Sequence, residues 1–449
     1  MSASRWRANH PEAAAAPASF LPPAGAARKS NAAYSALLFF TVYYFLRPED
    51  FIPGLAHIPL AKITGAVALL ALLLVPSKDR PRFPLEIKVL FLLFCQTVLT
   101  IPFAYWKGGS ANIVFNGFSK SVIVAVLVFF AVTKLSDLRK LLFVQAAVIA
   151  FVTVASVMAH HMDSAGRLMG LQQGTLENPN DLAMNIAISF PLSVAFLLNA
   201  KGGRKVVWLI TLAFMMYGVV ATYSRSGMVA LAITALICLW EFGIKGKRRS
   251  VLAGAALVGI IGVAVMAAQP HYMARLETLV RGGDVEGADD KGTLEARSTL
   301  LKKALVIAVQ HPLFGVGPGN YQVVSDEWHV AHNTYAELAA ETGFPGLILF
   351  LVLLGAAFRK LRAIRALPGF DADPEVRLWR SALWASLAAY AIGSLFASSE
   401  YNLFPYFIVG YICVLHNIVI RMPAGSAEVR EPGNRTGAGK RKRELAWGR

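Results

Sequence analysis

Long apolar runs recur along this chain, each near the ~20 residues that cross the hydrocarbon layer of a membrane. Windows of low charge fall at 31–46, 58–75, 85–103, 113–132, 138–160, 182–198, 206–222, 228–242, 251–268, 345–358, 382–396 and 403–420. They make the chain 56% hydrophobic, with a mean hydropathy of +0.52, where a soluble domain is about 45–50% apolar. The fold class that follows is an all-α polytopic membrane protein of about twelve transmembrane helices.

The net charge is +17, which could suggest a nucleic-acid partner. The placement of the charges argues against one. Lys and Arg cluster in alternate loops: Arg28 and Lys29; Lys78, Arg80 and Arg82; Lys134, Arg139 and Lys140; Lys201, Arg204 and Lys205; Lys245, Lys247 and Arg248; Arg359, Lys360, Arg362 and Arg365. This is the positive-inside pattern, which sets both termini in the cytoplasm and makes membrane lipids the partners of the surplus charge. The expected organisation is a disordered cytoplasmic N-terminus at 1–30, transmembrane helices one to nine at 31–268, a long outer loop at 269–343, helices ten to twelve at 344–420, and a basic cytoplasmic tail at 421–449. The first helix reads as retained, because no convincing cleavage site follows it. Cys95, Cys238 and Cys413 all fall in expected spans, which excludes a disulfide framework and a cysteine-based zinc site.

The outer loop has parts. Residues 272–290 are rich in Gly and acidic side chains and read as a flexible loop. Residues 294–310 are amphipathic, with Leu294, Leu301, Leu305 and Ala308 at helical spacing, and suit a helix lying at the interface. His311-Pro312 ends it, and Gly315, Gly317, Pro318 and Gly319 make tight turns. Thr334 followed by Glu337 predicts a capping box opening a further helix at Tyr335. Gly343 and Pro345 close that helix and launch the tenth span.

Irregular polar backbone is scarce in such a chain, so these loops are where chemistry can lie. Arg225 sits in a minimal outer loop, Tyr223-Ser224-Arg225-Ser226-Gly227. Its guanidinium can clamp a phosphate bidentately, or it can snorkel to lipid headgroups. Arg297, early on the amphipathic helix, carries the same two readings. Arg167 and Arg275 or Arg281 are further candidates of that kind. His332 precedes a helix start, whose positive field disfavours imidazolium, so a neutral ring could act as a general base; equally it could hydrogen-bond loop backbone. His329 and His332 are three apart with Asp326 and Glu327 nearby, but no third ligand follows at diagnostic spacing. Neither His160-His161 nor Asp289-Asp290 supplies one, so no metal is expected. Phosphate-binding, nucleophile-elbow and dinucleotide signatures are missing from the sequence.

Five segments together resemble the O-antigen ligase and O-antigen polymerase superfamily of bacterial envelope glycosyltransferases. They are Tyr223-Ser224-Arg225-Ser226-Gly227, Glu295-Ala296-Arg297, the run from His311 to Gly317, Ala331-His332-Asn333-Thr334-Tyr335, and Glu341-Thr342-Gly343-Phe344-Pro345-Gly346. The likeness spans roughly 178–350 and separates ligases from polymerases poorly. It implies a multi-pass inner-membrane enzyme with a periplasm-facing site, a glycan donor on undecaprenyl diphosphate, and a lipid A–core acceptor. No metal or cofactor is implied, because the lipid diphosphate is itself a good leaving group. Arg225 and Arg297 would bind the diphosphate, and His332 would act on the acceptor hydroxyl. His311, Asn333, Tyr335 and, in the last outer loop, Glu400 would contact substrate. A polymerase or a protein O-oligosaccharyltransferase using the same donor are the alternatives. An exporter fits less well, since the spans carry few ionisable groups at their centres.

Overall fold

The computed structural model describes residues 24–46, 60–73, 82–170, 176–248, 254, 294–370 and 373–422. The architecture is all-α: among the described residues strand pairing is limited to one isolated bridge, between Met162 and Leu168. In chain order the helices are α1 (Ala24–Leu46), α2 (Leu60–Leu73), α3 (Leu85–Thr100), α4 (Lys107–Ala131), α5 (Leu135–Met158), α6 (Pro179–Asn199) and α7 (Gly203–Ala221). They continue with α8 (Arg225–Cys238), α9 (Leu294–Gln310), the single turn α10 (Tyr321–Val324), α11 (Thr334–Ala363), α12 (Pro374–Gly393) and α13 (Phe404–Arg421).

Eight helical segments among the described residues are long and apolar enough to cross a membrane. Every expected span except 251–268 coincides with a helix; that run lies outside the described residues apart from Gly254, as do the loop at 272–290, the N-terminal tail up to residue 23 and the C-terminal tail from residue 423, whereas residues 24–30, expected within the N-terminal tail, open α1. Three helices fall short of the spanning criterion for legible reasons. α1 is apolar only over Ala33–Tyr44, α2 has 14 residues, and α12 opens with Glu375, Arg377 and Arg380. Two helices carry wide turns, Ile113–Phe118 within α4 and Leu239–Ile244 continuing α8, of the kind that often marks functional places.

α6 is the hub. It packs against α5, α7, α8 and α12, and residues from Leu182 to Ala195 are buried. Lipid tails are as apolar as leucine, so close backbone approach rather than water exclusion holds such helices together. Small residues permit it here. A Cβ on Gly227 of α8 would stand 2.2 Å from Ala183 of α6, and one on Gly218 of α7 would stand 2.4 Å from the Thr153 methyl of α5. α11 packs on α3 and α9, and α13 on α4 and α12.

α9 belongs to a second, smaller core. Leu300, Ala304 and Ile307 meet Val316, Tyr321, Ala331, Ala336 and Ala340. The hydroxyl of Tyr321 donates to the Leu300 carbonyl at 2.6 Å and pins the helix to the loop. The expected amphipathicity of 294–310 is present: Ala308 is buried and Leu301 packs on this core, whereas Leu305 is exposed, with Val306 and Val309. α9 therefore has one apolar face against α11 and a second apolar strip turned outward.

Candidate active site

Two corners of the bundle carry the polar motifs, and both lie at the same end. At the first, Asn178 caps α6 by accepting from the Asn180 N–H at 2.8 Å. Asn180 Oδ1 in turn accepts from Ser224 Oγ at 2.7 Å, and Ser224 Oγ accepts from the Gly227 N–H at 3.1 Å, capping α8. These bonds fix Arg225 as the first residue of α8, beside the start of α6; its side chain lies outside the described residues. Gly393, at the end of α12, connects this corner to the second. A Cβ there would meet Met184 of α6 at 2.3 Å and Ala230 of α8 at 3.4 Å. One residue later, the Ser394 carbonyl accepts from the Thr334 N–H at 2.9 Å, at the start of α11.

The Gly-rich run from His311 to Asn320 is a clasp. Val316 and Gly317 N–H groups donate to the carbonyls of Ala340 and Glu341, both at 2.9 Å, and Phe344 N–H donates to the Pro312 carbonyl at 2.8 Å. Gln96 of α3 donates to the carbonyls of Leu313 and Thr342. Ser110 of α4 donates to the Pro318 carbonyl at 2.9 Å. The clasp thereby grips α11 where that helix breaks at Gly343, φ +73. Gly315 has φ +63, and a Cβ there would stand 2.3 Å from the Glu341 carbonyl carbon. The glycines are needed for backbone reasons. Gly315, Val316, Gly317 and Pro318 are buried, whereas His311 is exposed at the end of α9.

His332 follows the clasp in a left-handed turn, φ +52, which costs a non-glycine residue energy and persists only where neighbours impose it. Several do. Glu337 accepts from the Ala331 N–H at 2.8 Å and from Ser398 Oγ. Asn333 Oδ1 accepts from the N–H groups of Tyr335 and Ala336, at 3.1 and 3.0 Å, and its amide donates to the Leu395 carbonyl. The cap of α11 is thus Asn333, one residue before the Thr334 expected. Thr334 instead donates from its hydroxyl to the Ala397 carbonyl, and Glu337 is drawn away to Ala331, so no capping box forms. Burial, Arg297 and His329, in that order, pull the His332 imidazole down to about 4, so the ring is neutral at neutral pH. The direction matches the expectation; the leading cause is burial rather than the helix end.

Beneath His332 lie three buried carboxylates: Glu337, Glu341 and Glu400, between 1% and 4% exposed. Glu341 accepts from the Tyr321 N–H at 3.2 Å and from the Tyr401 hydroxyl at 2.9 Å. Burial first, and then the charges of Glu337 and Glu341, push the Glu400 carboxyl well above the usual carboxylate range. Crowded like charges away from water resolve by holding protons. Among the described residues no group of three or more His, Cys, Asp or Glu is arranged to hold a metal ion.

The structure brings Arg297, His332, Asn333, Tyr335 and Glu400 together around the start of α11, with Arg225 on the adjoining corner. It gives Asn333 a capping role and ties the Tyr335 hydroxyl to the Ala391 carbonyl at 2.6 Å. Arg167 is held by Asp163 at 2.7 Å, while Arg275, Arg281 and Asp289-Asp290 lie outside the described residues. Sequence reading missed Asn180, Glu337 as a support for the His332 turn, and Glu341. Asn180 was signalled by the turn-forming Asn178-Pro179-Asn180-Asp181; Glu337 was read as half of a capping box and Glu341 as the start of a family-like segment, but neither reading pointed to a buried carboxylate at the site.

Residues 210–351 match the family Wzy_C, described as O-antigen ligase. The chain is also 22% identical over 329 residues to the exopolysaccharide production protein ExoQ of Rhizobium meliloti (strain 1021), covering 68% of this chain and 69% of the relative. The matched span contains Arg225, Arg297, the Gly-rich clasp and His332. The chain is therefore similar to the O-antigen ligase family over residues 210–351, within an all-α chain whose described residues include eight helices long and apolar enough to cross a membrane.

Proposed function

We propose that this protein is an O-antigen ligase that moves a glycan from undecaprenyl diphosphate to a sugar hydroxyl of lipid A–core, at the periplasmic face of the inner membrane. The observation that carries the reading is the joining of the Arg225 corner, Arg297 and a buried neutral His332 at one end of the bundle. The acceptor oxygen bonds to the anomeric carbon, the bond from that carbon to the diphosphate oxygen breaks, and undecaprenyl diphosphate leaves. Arg225 and Arg297 neutralise the charge gathering on the leaving group. His332 accepts the hydroxyl proton as the new bond forms.

Arg297 also gives the site an order of events. Its positive charge depresses the basicity of His332. A diphosphate bound to Arg297 cancels that charge, so His332 becomes a better base once donor is loaded. An acceptor arriving first meets a weaker base, which limits proton removal without donor.

A second reading, in which the acceptor is another carrier-linked glycan and the product is polymer, draws on the likeness to a protein named for exopolysaccharide production. Deleting the gene and running lipopolysaccharide on a gel separates the two. Loss of a ligase leaves core without long chains. Loss of a polymerase leaves core bearing one repeat unit.

A further inference from the structure

At the opposite end of the bundle from His332 there is a groove of about 550 Å³ between α8, the end of α11 and the start of α12. It is about 22 Å from Arg225 along α8, at 1.5 Å per residue. One half is apolar: Ile233, Leu236, Ile237 and Trp240 form its wall. Leu236 and Trp240 are 64% and 52% exposed, so this wall opens sideways, toward where lipid tails lie. The other half is basic, lined by Lys245, Arg362, Arg365 and Arg380.

Glu241 is the acidic residue in the lining. It is already engaged, accepting from Lys245 at 2.7 Å, Arg380 at 3.0 Å and Ser381 at 3.0 Å, with Arg365 at 3.4 Å. The wide turn at Leu239–Ile244 is what carries Glu241 into this position. One carboxylate faces four cations, leaving the groove strongly positive. Arg362 and Arg380 stand over the Trp384 ring at 5.6 and 5.0 Å, which holds their guanidinium planes at the groove floor.

We infer that this groove binds an anionic phospholipid, its phosphate on Arg362, Arg365 and Lys245 and an acyl chain along Leu236 and Trp240. Cationic side chains beside a lipid-open apolar wall, at the end of the bundle that the charge pattern assigns to the cytoplasm, have the composition of a headgroup site. A soluble phosphate ester would use only the basic half, and a neutral lipid only the apolar half.

The test is native mass spectrometry of the purified full-length protein offered equal phosphatidylglycerol and phosphatidylcholine. The wild type should retain phosphatidylglycerol at least tenfold over phosphatidylcholine. Arg362→Gln, at a residue that stacks on Trp384 and leaves the Glu241 pairs standing, should cut that preference several-fold. Adding Arg365→Gln should bring it near parity, with the melting temperature of both variants close to wild type. Equal retention of the two lipids by the wild type, or an unchanged preference in the folded double variant, would overturn the inference. Displacement of phosphatidylglycerol by glycerol 3-phosphate at similar concentration would overturn it as well, by showing a phosphate site with no use for the acyl wall.

Discussion

The Glu337 carboxylate accepts the backbone N–H of Ala331 at 2.8 Å, one residue before His332. A side chain on α11 thereby reaches back to hold the loop that delivers the candidate base. The same carboxylate accepts from Ser398, in the loop between α12 and α13, so one buried group ties three chain segments to the site. Glu337→Ala should leave Ala331 N–H unpaired in a buried place, at about 1–3 kcal/mol, and release the left-handed turn. Transfer is expected to fall at least tenfold. Glu337→Gln, whose carbonyl still accepts from Ala331, should recover much of it. Equal loss in both variants would show that the charge, not the hydrogen bond, matters.

Gly315 and Gly343 have a different sensitivity. Both have positive φ, and an added Cβ would stand 2.3 and 2.6 Å from backbone atoms of the facing segment. Gly315→Ala or Gly343→Ala should destabilise by more than about 1 kcal/mol, lowering the melting temperature and the amount of protein in the membrane. A variant with normal stability would mean that the clasp can open without cost.

Much of the helical framework was legible because span-length apolar runs leave the backbone little choice but helix. The candidate residues were legible because polar loops are rare in such a chain. The capping of α11 was not: Thr334 and Glu337 have the local pattern of a capping box, but tertiary partners at Ala397 and Ala331 claim both side chains. The Gly-rich run was legible as important and illegible as to why. Its spacing cannot reveal that Gln96 and Ser110, more than 200 residues earlier, hold its carbonyls. The glutamates under His332 were invisible as a group, because only the fold brings Glu400 beside α11.

The arginine clamp separates charge from shape. Arg225→Lys keeps the charge and loses the bidentate fork. Transfer is expected to drop more than tenfold with protein level intact, and further in Arg225→Ala. Arg297→Ala should behave alike, and the double variant should be less defective than the product of the two, since both would hold one leaving group. Near-normal transfer in Arg225→Ala would return that residue to a headgroup contact.

Acid dependence follows from the depressed His332 ring. The active form is neutral, so rate is lost only as pH falls through the folded value of about 4. With donor scarce, the rate should stay level from neutral pH to about 5 and fall below that. With donor saturating, the diphosphate masks Arg297 and the acid limb should move to higher pH. In Arg297→Gln the two profiles should converge. A limb near the ordinary histidine value of ~6.5 under both conditions would contradict the burial of His332.

The most direct measurement is transfer by purified wild type, His332→Ala and His332→Gln from undecaprenyl-diphosphate-linked glycan to lipid A–core, with donor binding followed in parallel. The account predicts transfer by the wild type, none by either variant above background, and donor binding near wild type in both. Substantial transfer by His332→Gln, which hydrogen-bonds but takes up no proton at neutral pH, would contradict a base at this position.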